Sequence, residues 1–271
     1  MLLRFGYDLQ FEQSAPVPMM LLLSTYPCQS LFFRQPELLQ IEPTVTCTEY
    51  YDSFGNRCHR LTAPVGRLHL RNSFVIEHSG EPETADWDAI QHLLEDLPSE
   101  TLCFLLASRY CEVELLSDIA WQLFGHFAPG WSRVQAICDW VHENVRYDGD
   151  STHPTKTACD VYKDRGGVCR DFQHLAITFC RALNIPARYV SGYLTEVGIT
   201  SDGRPMDFHA WFEAYLGGKW HTFDARHNRP RTGRVAMAHG RDAVDVALTT
   251  SFGVIDLVYF EVTAEAIAIL E

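Results

Sequence analysis

Gly166-Gly167-Val168-Cys169-Arg170-Asp171-Phe172 is the stretch on which the reading of this chain turns. Beyond it Phe172, Leu175, Ala176, Phe179 and Leu183 recur at helical spacing until Asn184-Ile185-Pro186 stops them. One cysteine therefore stands where a glycine turn enters an amphipathic helix. Glycines permit a sharp approach with unusual backbone angles, and the first turn of a helix presents unpaired N–H groups and the positive end of its dipole. Both favour thiolate over thiol and are expected to lower the Cys169 pKa. The same N–H groups can receive an oxyanion forming beside the sulfur. A structural glycine turn with a small apolar residue has the same local string, so a nucleophile here needs a base.

Downstream, the sequence reads as strands over residues 187–194 and 208–216, a polar loop over 196–207, and a third strand from Lys219 to Asp224. Gly217-Gly218 is a tight hairpin signal. If it forms the loop, Leu216 pairs with Lys219 and Trp211 lies opposite Asp224. His209, two residues before Trp211, then shares a face with Asp224, diagonal to it at roughly 7–8 Å between backbone positions. Phe208, Ala210, Phe212, Ala214 and Leu216 occupy the other face and read as core. An Asp accepting from one imidazole nitrogen fixes the tautomer and leaves the other nitrogen for a thiol. An odd loop would turn Asp224 away.

Working outward, residues 4–11, 19–25, 45–51, 58–62 and 68–77 read as short strands with turn signals between them, which predicts an antiparallel β-sandwich over residues 1–80. Residues 113–127 and 132–147 are helical; Val134, Ile137, Cys138, Val141 and Val145 form an apolar stripe. The expected fold class is α+β: the sandwich, then helices packed on an antiparallel sheet over residues 81–271.

The chain has 271 residues and a formal charge of −13. Residues 81–150 hold 3 basic and 14 acidic side chains and so carry −11 of it, which reads as a solvated face. An acidic protein is unsuited to clamping nucleic-acid phosphates or anionic membrane surfaces. The opening Met-Leu-Leu-Arg-Phe-Gly-Tyr-Asp lacks the pattern of a secretory signal, and no apolar run reaches the ~18 residues of a membrane span. With nine cysteines and no Cys-x-x-Cys pair, reduced thiols in a cytoplasm are expected.

Three other groupings compete for attention. His221, Asp224, His227 and His239 match no standard metal-ligand spacing, and His221 falls on the face opposite Asp224, so no metal or other cofactor is expected. Arg226, Arg229, Arg231, Arg234 and Arg241 form a basic run. They can line a substrate cleft and hold a carboxylate or phosphate, or pair with Asp242, Asp245 or the acidic 81–150 face. Asp171 and His174 can tune the cysteine, although Asp171 also suits capping the helix or pairing with an Arg.

Together, the Cys169 string, His209-Ala210-Trp211-Phe212-Glu213 and Trp220-His221-Thr222-Phe223-Asp224 resemble the three signatures of the transglutaminase-like superfamily. The resemblance is to its bacterial cysteine-protease-type members with an N-terminal β-domain before a papain-like core, and it extends to Gly240-Arg241-Asp242-Ala243-Val244-Asp245-Val246. It implies Cys169 as nucleophile, His209 as general base and acid, and Asp224 as orienter. The family's oxyanion donors include the N–H of the nucleophilic cysteine, and in some relatives an upstream aromatic residue, for which Tyr147 is the candidate. Trp211 and Arg226 are the further candidates for oxyanion or substrate binding. The implied chemistry is acyl transfer from a peptide or protein amide, ending in hydrolysis or in transamidation. A non-catalytic binding module of the same fold is the remaining alternative. The calcium dependence of animal transglutaminases is not expected, because no acidic loop has EF-hand spacing.

Overall fold

A computed structural model describes residues 1–199, 203 and 205–267, so residues 200–202 and 204 of the expected polar loop lie outside the described residues. The first unit holds β1 (Leu2–Gln13), β2 (Val17–Leu21), β3 (Phe33–Gln35), β4 (Gln40–Glu42), β5 (Cys47–Tyr51), β6 (Arg57–Ala63) and β7 (Gly66–Glu77). Then come α1 (Val113–Phe124), α2 (Trp131–Asn144), β8 (Arg146–Tyr147), α3 (Ala158–Asp164), β9 (Gly166–Gly167) and α4 (Cys169–Ala182). The strands β10 (Ala187–Leu194), β11 (His209–Leu216), β12 (Lys219–Phe223), β13 (Arg234–Gly240), β14 (Thr249–Ser251) and β15 (Asp256–Ile267) complete the described chain.

The class is α+β, with an antiparallel sandwich and a papain-like core. The sandwich is formed by one sheet of order β15-β1-β7-β3, with β4 also on β7, and a second of order β14-β2-β6-β5. Alternation drives it: Leu3, Phe5, Leu9 and Phe11 of β1 are buried against Met19, Leu21, Leu61 and Phe74. One expectation is corrected here. Residues 249–267 are expected in the second unit, yet β14 pairs with β2 and β15 pairs with β1 from Leu2↔Ile267 to Glu12↔Asp256. An alternating strand at the end of a chain carries no signal of which sheet edge it will fill.

Helix α4 is the centre of the second unit. Twelve of its 14 residues are buried, against α1, α2 and α3 and against the sheet β12-β11-β10-β13. It ends where Asn184 takes a left-handed φ of 61°. Ala210, Phe212, Ala214 and Leu216 of β11 share this core, as expected from their alternation. Phe208 does not: it enters the sandwich core with Tyr193, Val235 and Met237, its ring 6.2 Å from that of Tyr7. The two cores thus meet at the strand end that carries His209.

The acidic segment is largely the solvated face expected of it, with Asp88, Glu95, Asp96, Glu100, Glu114 and Asp118 exposed. Glu83, which turns to an ion pair described below, Glu112, whose Oε2 accepts the Cys159 N–H, and Asp139, which accepts from Asn228, are among the exceptions.

Candidate active site

Cys169 is the first residue of α4 and is half-buried. The approach is held by the short parallel pairing of β8 with β9, Tyr147 opposite Gly167. Asp171 then closes the helix start: its Oδ2 accepts the Val168 N–H at 2.9 Å and its own N–H donates to Val168 O at 2.8 Å. A Cβ on Gly167 would lie 2.6 Å from the Asp171 side chain, so the cap requires glycine there. The expected low thiol pKa is overturned. Burial pushes the Cys169 thiol up, to about 11, against the opposing pull of the Arg226 guanidinium and the Ala210 and Arg170 N–H groups. The helix terminus favours the thiolate, but desolvation outweighs it.

The hairpin has the even loop inferred above: Leu216 pairs with Lys219 and Phe212 with Phe223. One step further along the ladder, Asp224 faces the His209 side, and His209 Nε2 lies 2.9 Å from Asp224 Oδ2. Because a carboxylate only accepts, Nε2 carries the proton and Nδ1 is left as the basic nitrogen. Gly192 lies opposite His209 across the β10–β11 ladder; a Cβ there would meet Val235 O at 2.1 Å and the Trp211 ring at 2.8 Å.

Asp224 is 6% exposed and fully engaged. Its Oδ1 accepts from Gln173 Nε2 (3.1 Å) and from the Arg226 and His227 N–H groups. Its Oδ2 accepts from His209, from His227 Nδ1 (3.0 Å) and from Arg234 Nη2 (2.8 Å), while Arg234 Nε forms an ion pair with Glu83 at 2.8 Å. Burial pushes this carboxyl up, but the charges and hydrogen bonds of His209, Arg234 and His227 hold it well below the usual range. Burial likewise pushes His209 down, to about 4, despite Asp224, so the imidazole is neutral at pH 7.

Cys169 and His209 line one cavity of about 350 Å³, together with Tyr147, Arg226, Arg229 and Arg231. Tyr147 places its ring 3.9 Å beneath the Arg226 guanidinium. Trp211 is absent from this lining: it is 2% exposed, its ring stacked 6.4 Å from that of His209 and 5.1 Å from the Arg234 guanidinium over it. It packs behind the imidazole and not in the cavity wall.

The remaining groupings separate in space. His221 packs on Trp131 at 5.3 Å, and His239 lies 3.5 Å from Glu213. Neither joins Asp224 and His227, whose ligand atoms cluster instead with those of His209, within 4.8 Å of one another. Arg234 already brings a positive charge to the shared Asp224 oxygen, so this cluster is a poor cradle for a further cation. His174 faces away from Cys169, accepting the Ala243 N–H at 3.2 Å and stacking on Tyr110 at 4.9 Å. The basic run divides: Arg241 pairs with Asp245 and Arg234 with Glu83 and Asp224, whereas Arg226, Arg229 and Arg231 turn to the cavity.

Sequence reasoning missed Gln173, His227 and Glu83 as partners in this site. Gln173 had a usable signal, as a polar residue one turn beyond Cys169 on a helix whose neighbouring positions are core. Glu83 had none, lying 141 positions before Asp224 in a segment that otherwise faces solvent.

An α+β chain with a cysteine at a central helix terminus and a His–Asp pair on the adjoining sheet has the papain-like layout. Residues 123–225 match the family model described as the transglutaminase-like superfamily. An uncharacterized protein of Mycobacterium leprae is 35% identical over 230 residues, 79% of this chain and 80% of that protein. The mouse kyphoscoliosis peptidase is 26% identical over 118 residues, 41% of this chain and 17% of that protein. Among solved structures, a "Putative Cysteine Protease" from Cytophaga hutchinsonii is 31% identical and superimposes with a TM-score of 0.83, over 99% of this chain and 91% of that one. The chain belongs to the transglutaminase-like superfamily, a family of cysteine-based acyl transfer. No helix among the described residues is long and apolar enough to cross a membrane.

Proposed function

We propose that the protein hydrolyses amide bonds through a Cys169–His209–Asp224 triad and a thioacyl intermediate. The observation that carries this reading is the 2.9 Å contact of His209 Nε2 with Asp224, on an imidazole that lines the same cavity as Cys169. Nδ1 takes the Cys169 proton as sulfur attacks the carbonyl carbon, and the Cys169 N–H at the helix terminus receives the oxyanion. Nδ1 then returns the proton to the nitrogen as the C–N bond breaks. Water attacks the thioester, giving its proton to Nδ1, and the acid leaves as the thiol is restored. Asp224 holds the imidazole in the tautomer that these steps need.

Hydrolysis is favoured over transamidation because Asp207 and Arg229, both lining the cavity, are exposed to solvent, so water reaches the site. The cysteine-protease description of the Cytophaga relative points the same way. Screening peptide amides with and without a labelled primary amine tests the reading. Product acid formed by the wild type and lost in Cys169→Ala supports it. Incorporation of the amine in place of acid formation identifies a transglutaminase, and no turnover of any amide leaves a binding module.

A further inference from the structure

Among the described residues, the arginines from Arg188 onward fall into two groups. Arg188, Arg234 and Arg241 each face a carboxylate: Glu213, Glu83 with Asp224, and Asp245. Arg226, Arg229 and Arg231 have no ion pair among the described residues, and all three line the cavity that holds Cys169 and His209. Arg231 is the telling one. It is only 4% exposed, and its Nη2 donates to Thr195 O at 2.8 Å. Its Nε and Nη1 are buried without a hydrogen-bond partner among the described residues. A buried guanidinium with unmet donors is costly unless water or a ligand completes it. The planar fork of donors suits a carboxylate in two-point contact. Glu196 and Asp207 also line the cavity, so among the described residues three arginines face two carboxylates.

We infer that this cavity is a carboxylate-binding subsite centred on Arg231, with Arg226 and Arg229 at its side, and that the preferred amide substrates carry a free carboxylate close to the bond that is cut. The inference rests on the acyl-transfer reading of the site and narrows it to acidic substrates. Two sources supply that chemistry in a peptide, the C-terminal carboxylate and an Asp or Glu side chain. The volume of about 350 Å³ is at the small end of ligand pockets, which suits a group of this size rather than a long apolar side chain.

Protection of Cys169 from iodoacetamide, read by peptide mass mapping of the full chain, tests this without requiring a known substrate. N-acetylglycine offers a terminal carboxylate, N-acetylglutamate α-amide a side-chain one, and N-acetylglycinamide neither; inorganic phosphate is the fourth ligand. One or both carboxylates should slow alkylation of Cys169 by about fivefold at a concentration about four times their Kd, leaving the exposed Cys28 unaffected. Whichever protects names the source. Arg231→Met should abolish the protection, and Arg229→Met, at an exposed position, should weaken it if the buried change prevents folding. Equal protection by the neutral amide, protection by phosphate alone, or no protection overturns the subsite. Amide turnover surviving in Cys169→Ala overturns the acyl-transfer reading instead, so the two failures are distinct.

Discussion

Gln173 donates its Nε2 to Asp224 Oδ1 over 3.1 Å while its Oε1 accepts the Ala225 N–H at 3.2 Å. The residue sits one turn beyond Cys169 on α4, and Asp224, which orients His209, directly follows the strand β12. This side chain therefore ties the element carrying the thiol to the element carrying the carboxylate. Replacing it with Leu removes the tie at nearly constant volume. We expect kcat to fall about 100-fold with KM within about twofold, the pattern of a misplaced catalytic group. Loss of one partner from a buried carboxylate should also cost about 1–3 kcal/mol in denaturant unfolding. Stability lost with kcat intact would make Gln173 purely structural.

Asp224→Asn keeps the shape but replaces an acceptor-only group with an amide that can present N–H to the imidazole. The His209 tautomer then inverts and Nδ1 no longer accepts the thiol proton. A loss on the order of 10³–10⁴ in kcat is expected, the size seen when an orienting carboxylate is neutralised in a serine-protease triad. Circular dichroism of the variant separates this from unfolding. Activity within tenfold of wild type contradicts the orienting role.

The pKa values predict a resting pair of neutral thiol and neutral imidazole, with His209 at about 4 and Cys169 at about 11. Iodoacetamide labelling of Cys169 should therefore accelerate with pH from 6 to 10. A preformed thiolate–imidazolium pair would instead give a plateau from about pH 5 upward. Stability has its own sign. The folded value of His209 lies below its ordinary 6.5, so between those values the unfolded chain binds more protons. Stability is then complete above about pH 6.5 and declines as pH falls toward 4, by roughly 1.4 kcal/mol per pH unit for each proton. His174, His59 and His239 are also pushed down by burial and add to the decline. Tm in His209→Asn should fall less steeply over this range than in the wild type.

Phe208 precedes His209 and is held in the sandwich core, 5.2 Å from the Tyr193 ring and 6.2 Å from Tyr7. Phe208→Ala should destabilise the chain by about 3 kcal/mol. It should also lower kcat in the fraction that remains folded, because the strand end loses its anchor. An unchanged kcat per folded molecule would show that the β-domain does not position the imidazole.

Most of the site was legible in the sequence because it obeys short periods. A hairpin with a two-residue loop fixes which residues share a face, and that alone brings His209 to Asp224. The helix following Cys169 was equally plain from its apolar stripe. What could not be read were contacts between distant segments: β15 on β1, Phe208 in the sandwich, and Glu83 on Arg234. Periodicity speaks of a face and not of what covers it. Arg234–Gly240 also forms a buried strand on β10, which the basic run that includes Arg234 does not announce. The Cys169 thiol failed for another reason. The helix dipole is readable locally, whereas desolvation by the surrounding chain is not.

The central claim is that sulfur of Cys169 carries the acyl group. Rapid acid quench of the wild-type chain during turnover of an activated peptide anilide, followed by peptide mapping, tests it directly. The account predicts the acyl mass on Cys169 alone among the nine cysteines, appearing in step with the released amine and absent from Cys169→Ala. An acyl group on another residue, or turnover at the wild-type rate in Cys169→Ala, would contradict it.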